Sequence, residues 1–156
     1  MTPEAMFERE LRKLYHAELE ILDLHGDLAA AASDEVAALF TGHEEETVEQ
    51  INRIERIVEA LGTEPRAEGS PVMEGILAEK NALVSTEAPA DLRDLDVLRT
   101  GMLNERFEIT ALDQLLLLGS DLDLASPILA ELEANRHEAK GALMQMEAIV
   151  ERRRTV

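Results

Sequence analysis

Apolar residues recur along the chain in alternating steps of three and four, and each of four such stripes is interrupted near its middle by polar side chains. In the first, Phe7, Leu11, Leu14, Glu18, Ile21, His25 and Leu28 share one helical face. The second runs through Val36, Phe40, His43, Thr47, Gln50, Ile54, Ile57 and Leu61, with Glu46 beside its polar centre. The third joins Leu95, Leu98, Met102, Glu105, Ile109, Leu112 and Leu116, and is broken by Glu105, with Glu108 at its flank. The fourth joins Leu129, Leu132, Arg136, Ala139, Leu143, Met146 and Val150, and is broken by Arg136, with Glu133 and His137 alongside. Four amphipathic helices carrying ionisable groups on their inward stripes predict a bundle with a polar site inside it.

Punctuation by Pro, Gly, Ser and Thr sets the expected boundaries. A first helix spans 3–32, capped by Thr2 with Pro3 in its first turn, and Ser33 starts a second over 34–61 that Gly62 stops. A short helix over 71–87 lies inside a long connection that can travel the length of a bundle. Helices over 90–119 and 127–154 complete one all-α domain spanning 1–156.

Composition narrows the function classes. Three Phe, one Tyr and no Trp leave a core of Leu, Ile, Val, Met and Ala, which favours helix over strand. A net charge of −18 repels a phosphate backbone, so nucleic-acid binding is not expected. The 12 Arg and three Lys among so many acids resemble the cytoplasmic proteins of salt-in halophiles. The absence of Cys excludes disulfides and thiolate metal sites. No signal-like or membrane-spanning run is present, and a cytoplasmic location is expected. The run Leu115-Leu116-Leu117-Leu118 is apolar around most of a helix, more than one seam can bury, which predicts a homodimer.

Counting outward from the turns places the polar positions at similar depths. Glu18 and Glu46 lie 15 residues before and 13 after Ser33, a difference in level of only ~3 Å at the rise of a helix. Glu105 and Arg136 lie 18 before and 13 after Asp123, within about one or two turns of each other. His25, two turns beyond Glu18, falls outside the group on this count. Taking carboxylates out of water costs several kcal/mol each unless a cation compensates. Oxygen and imidazole donors together suit iron, manganese or zinc. A bidentate salt bridge to Arg136 is the other solution.

These motifs carry a resemblance. Leu14-Tyr15-His16-Ala17-Glu18, His43-Glu44-Glu45-Glu46-Thr47 with Gln50 to Glu55, Met73-Glu74-Gly75-Ile76 and Glu105-Arg106-Phe107-Glu108-Ile109 together resemble the YciE/YciF-type branch of the ferritin-like superfamily over nearly the whole chain. The resemblance implies a four-helix bundle with a crossover helix, a dimer, and a dinuclear iron or manganese site that handles oxygen or peroxide in stress protection. The ligands it points to are Glu18, His43, Glu46, Glu105, Glu108, Glu133 and His137. Arg106 and Phe107 stand where the branch is expected to have His and Tyr, and Arg136 stands where the wider superfamily places a ligand. A second expectation follows: a metal-free bundle with a structural or interaction role, its core carboxylates neutralised by Arg136 and Arg106.

Overall fold

The computed structural model describes residues 1–154, and among these there are five helices and no strand. Helix α1 spans Pro3–Ala31, α2 Asp34–Ala60, α3 Pro71–Ser85, α4 Ala90–Asp121 and α5 Ser126–Arg154. The boundaries follow local chemistry. The Thr2 hydroxyl accepts from the Ala5 amide at 3.1 Å and the Ser70 hydroxyl from the Met73 amide at 3.3 Å, each just before a proline in the first turn. Gly62 takes φ +74° just beyond the end of α2, a conformation open to glycine at little cost.

Helices α1, α2, α5 and α4 form the bundle, each packed against two antiparallel neighbours, while α3 lies against α1 and α4. The long connection brings the chain back so that Asp94, at the start of α4, meets Ser33, at the α1–α2 turn. The guanidinium of Arg93 donates to the Leu83 and Thr86 carbonyls, closing the free end of α3.

The first two stripes are buried as the periodicity predicts, with only Leu61 half-exposed at the end of α2. In the other two, Leu98, Glu105 and Leu112 on α4 and Leu132, Ala139, Leu143 and Met146 on α5 are buried as predicted, while the remaining positions are displaced by one residue. On α4 the inward line runs through Asp94, Leu98, Gly101, Glu105, Glu108, Leu112 and Leu115, so Leu95 is exposed and Glu108 is inside. On α5 it runs through Ile128, Leu132, Asn135, Ala139, Leu143, Met146 and Ile149, so Asn135 takes the place expected for Arg136. The cause is the same in both helices: the true seam includes polar residues, and a search for apolar repeats slides to the adjacent row. In the leucine run, Leu115 is buried and Leu117 is 64% exposed.

The core is divided. One apolar cluster, containing Leu24, Leu28, Phe40, Leu98 and Met146, fills the half of the bundle near the α1–α2 turn. A second, containing Phe7, Leu11, Ile54, Leu115 and Leu132, fills the other half. Between them lies a belt of buried polar residues.

A carboxylate and imidazole belt between two apolar clusters

The belt draws on all four bundle helices. Helix α1 supplies Glu18 and His25, α2 His43, Thr47 and Gln50, α4 Asn104, Glu105 and Glu108, and α5 Asn135, all buried. Antiparallel packing sets the register: His25, nearer the C-terminus of α1, meets Glu105, while Glu18 meets Glu108 one turn further along α4. The Nε2 of His25 lies 3.8 Å from Oε1 of Glu105. Two turns of α1 cover roughly 10 Å, and Glu105 and Glu108 bridge that span, which is why a depth count along one helix wrongly left His25 out.

Hydrogen bonds fix which imidazole atoms face inward. The Thr47 hydroxyl donates to the His43 carbonyl at 2.8 Å, so its oxygen is left to accept from His25 Nδ1 at 3.3 Å. That places the His25 proton on Nδ1 and leaves Nε2 as a bare lone pair. His43 turns Nδ1 toward Glu46 Oε2 at 3.4 Å, a long contact, and buries Nε2 without a partner. The two rings lie 5.9 Å apart beside Phe40.

The carboxyl groups are strained electrostatically. Burial pushes Glu18 well above its ordinary value of 4.5, and the charges of Glu108, Glu105 and Glu138 push it further. Glu105 is raised in the same way by burial and by Glu108 and Glu46. Burial also raises Glu108, against hydrogen bonds from Glu18, Glu105 and Asn104 that favour its anion. Asn104 Nδ2 donates to Glu108 Oε2 at 3.0 Å. If every carboxyl were ionised, both Glu18 oxygens would lack a donor; protons on Glu18 and Glu105 let each donate to Glu108. Burial lowers His25 to about 3, with the neighbouring His43 adding to the effect. Burial also lowers His43, opposed by Glu46. Burial thus disfavours every charged form in the belt: the imidazoles stay neutral to lower pH, and the carboxyls keep their protons to higher pH, than they would in water.

Of the residues expected from the sequence, Glu18, His43, Glu105 and Glu108 come together in the belt. Glu46 stands at its edge, its side chain 44% exposed. Glu133 and His137 lie on the exposed side of α5, and the expectation that this helix contributes them is corrected. The neutralising arginines are corrected too. Arg136 pairs with Asp113 at the surface, and Arg106 is exposed with Glu147 3.7 Å away. Tyr15 donates to Glu55 at 3.0 Å.

The donor set fits iron or manganese in kind: carboxylate oxygens and imidazole nitrogens, several of them buried and unpartnered. Among the described residues, no three His, Asp or Glu side chains are gathered closely enough to enclose an ion.

Comparison with known proteins supplies the family context. Residues 2–155 match DUF892, a domain of unknown function. Protein YciF of Escherichia coli (strain K12) is 29% identical over 123 residues, covering 78% of this chain and 74% of that protein. The crystal structure of the E. coli stress protein YciF matches with a TM-score of 0.90 at 25% identity, over 95% of this chain and 94% of that one. YcfI from Rhodopseudomonas palustris matches at 0.91 and 24% identity, over 94% of both chains. A DUF305 fragment from Deinococcus radiodurans matches at 0.72 and 16% identity, over 97% of both. The last two show a shared fold alone.

Proposed function

The chain belongs to the DUF892 family, and we propose that its polar belt holds iron or manganese as a pair of ions inside a ferritin-like bundle. The observation that supports this reading is the set of buried acceptors without donors: both oxygens of Glu18, Nε2 of His25, Nε2 of His43 and Oδ1 of Asn104. An isolated buried polar group is costly, and a chain that leaves several such atoms in one belt gains by admitting a cation. Glu18, Glu105, Glu108, His25 and His43 would hold the ions, with Glu46 at the edge. Bound there, such ions supply redox chemistry toward dioxygen or peroxide.

The protein's own contribution is separable from the metal's. The apolar clusters on either side exclude water and strengthen every electrostatic interaction within the belt. Thr47 orients His25, and Asn104 orients Glu108. Protons held on Glu18 and Glu105 by their raised pKa must leave when a cation enters, so occupancy falls as the solution becomes more acidic. A stress role is stated for the E. coli structure and is proposed here by similarity. A homodimer through exposed apolar residues such as Leu117 belongs to the same proposal, and gel filtration at several salt concentrations tests it.

The test is metal content after equilibration with Fe(II) or Mn(II) without oxygen, followed by desalting. Retention of about two ions per chain, lost in Glu18→Ala, supports the reading. No retention of either metal overturns it. A metal-free belt held by shared protons is the second reading, favoured by the raised Glu18 and Glu105. It predicts that chelator leaves thermal stability unchanged.

A further inference from the structure

Helix α5 is where the expected ligands Glu133 and His137 turn out to be exposed, yet its inner side carries another acid at the level of the belt. Asn135 is 1% exposed, and Glu138, one turn on, is half-buried. Arg53 of α2 holds both. Its Nη1 donates to the two Glu138 oxygens at 2.8 and 2.7 Å and to Asn135 Oδ1 at 3.0 Å. Asn135 Nδ2 in turn donates to the Gln50 carbonyl at 3.3 Å, so the α2–α5 seam is tied at a fixed level. Arg53 also has Glu131 at 3.8 Å and Glu49 at 4.0 Å, so a single guanidinium faces three carboxylates. Releasing one of them would still leave it paired. The charge of Glu138 is felt by Glu18 across the bundle.

We propose that Glu138 is a carboxylate for which Arg53 and the belt compete: Arg53 keeps it at the α2–α5 seam while the belt holds no cation, and a divalent cation in the belt recruits it as the contribution of α5. This rests on the metal reading above and adds the residue from the fourth helix that the sequence pattern misplaced. The two roles exclude each other because one carboxylate cannot satisfy both partners fully. Arg53 therefore sets the affinity of a site it never enters, a regulatory arrangement built from one ion pair.

The test uses Mn(II) chloride alone, with free Mn(II) followed by electron paramagnetic resonance, on the full chain and on Glu138→Gln, Arg53→Gln and the double variant. Thermal unfolding in chelator is recorded for each. Competition predicts that Glu138→Gln weakens Mn(II) binding by about tenfold or more, that Arg53→Gln tightens it several-fold, and that the double variant binds like Glu138→Gln. Where Glu138→Gln fails to fold, Glu138→Asp replaces it, with an intermediate loss expected because the charge is kept but shortened. If Glu138→Gln and Arg53→Gln lower stability alike and leave affinity unchanged, Glu138 is only a strut and the proposal is overturned. A gain from Arg53→Gln that survives in the double variant overturns it as well, since the guanidinium would then act on cations without Glu138. An unaltered chain that takes up no Mn(II) ends the metal reading itself, a result distinct from these.

Discussion

Asp94 and Glu18 are both hidden from water, at 2% and 1% exposure, but only Asp94 is given donors. Burial pushes the Asp94 carboxyl up, yet the Ser33 hydroxyl, the Ser33 amide at 2.8 Å and Arg153 at 2.9 Å together hold it below its ordinary value. It pins the start of α4 to the α1–α2 turn and the end of α5. Glu18 has no donor at all and faces two further carboxyls. Burial alone therefore does not mark a functional residue; burial without partners does. The Asp94 junction is a closed structural device, and the belt is an open one.

The difference should have opposite signs on mutation, and this is the largest effect expected. In chelator, Asp94→Ala should cost about 3 kcal/mol, because Arg153 and the Ser33 donors lose their acceptor. Glu18→Leu should stabilise the metal-free protein by about 1–4 kcal/mol, because an unpaired polar group is replaced by packing. Urea unfolding measures both, and equal destabilisation by the two substitutions would erase the contrast.

Gly101 offers a smaller perturbation that enters the belt from the side. A Cβ there would sit 2.6 Å from Phe40 Cζ and 3.0 Å from Met146 Sδ, pressing the Phe40 ring toward His25 and His43. Gly101→Ala should cost about 1–3 kcal/mol by crowding. Thermal unfolding checks this, and Phe40→Leu in the same background should recover part of the loss.

The two regions also diverge with pH. Because folding raises the Glu18 pKa above 4.5, the folded chain keeps a proton that the unfolded chain gives up, and this group's contribution to stability falls as pH climbs above that point. Its slope is about 1.4 kcal/mol per pH unit until the raised folded value is passed. Glu18→Gln should remove that decline, so its advantage over the unaltered protein in chelator grows with pH. His25 acts in the opposite sense: folding lowers it from 6.5 to about 3, so its contribution is full above 6.5 and is lost as pH falls through that window. His25→Leu should flatten the fall in stability between pH 4.5 and 6.5, because the proton taken up by the unfolded chain is then lost from the balance. The Asp94 junction, with its pKa lowered, weakens only when the solution becomes more acidic than the ordinary value of 3.8. Denaturation curves from about pH 2.5 to 8 separate the three behaviours.

The smallest effects belong to the surface arginines. Arg136→Ala and Arg106→Ala should each change stability by only about 0–1 kcal/mol, since their partners are exposed carboxylates. A loss of several kcal/mol in urea unfolding would restore the arginines to the interior.

Much of this was legible in the sequence. The stripes of α1 and α2, the proline starts, the Gly62 stop and the crossover helix all followed from period and local chemistry. The glutamates at 18 and 105 stood out because they replaced apolar residues on otherwise apolar seams. Glu108 was legible only as a flanking position and Asn135 not at all, because the inward rows of α4 and α5 are themselves partly polar and the adjacent rows contain Leu, Ile and Val. His25 lies two turns from Glu18 along α1, but the belt is assembled across antiparallel neighbours, where Glu105 reaches it. No spacing rule reveals that Arg53 takes Glu138, since that pair joins helices 85 residues apart.

The account depends on buried carboxyls that carry protons for want of a cation. Proton release on Mn(II) binding measures this directly, in a weakly buffered solution near pH 6. His25, already neutral there, has no proton to give, so the protons released come chiefly from carboxyls. The account predicts release on binding, reduced by about one proton per chain in Glu18→Gln. Tight Mn(II) binding with no proton release, or with release unchanged by Glu18→Gln, would contradict it.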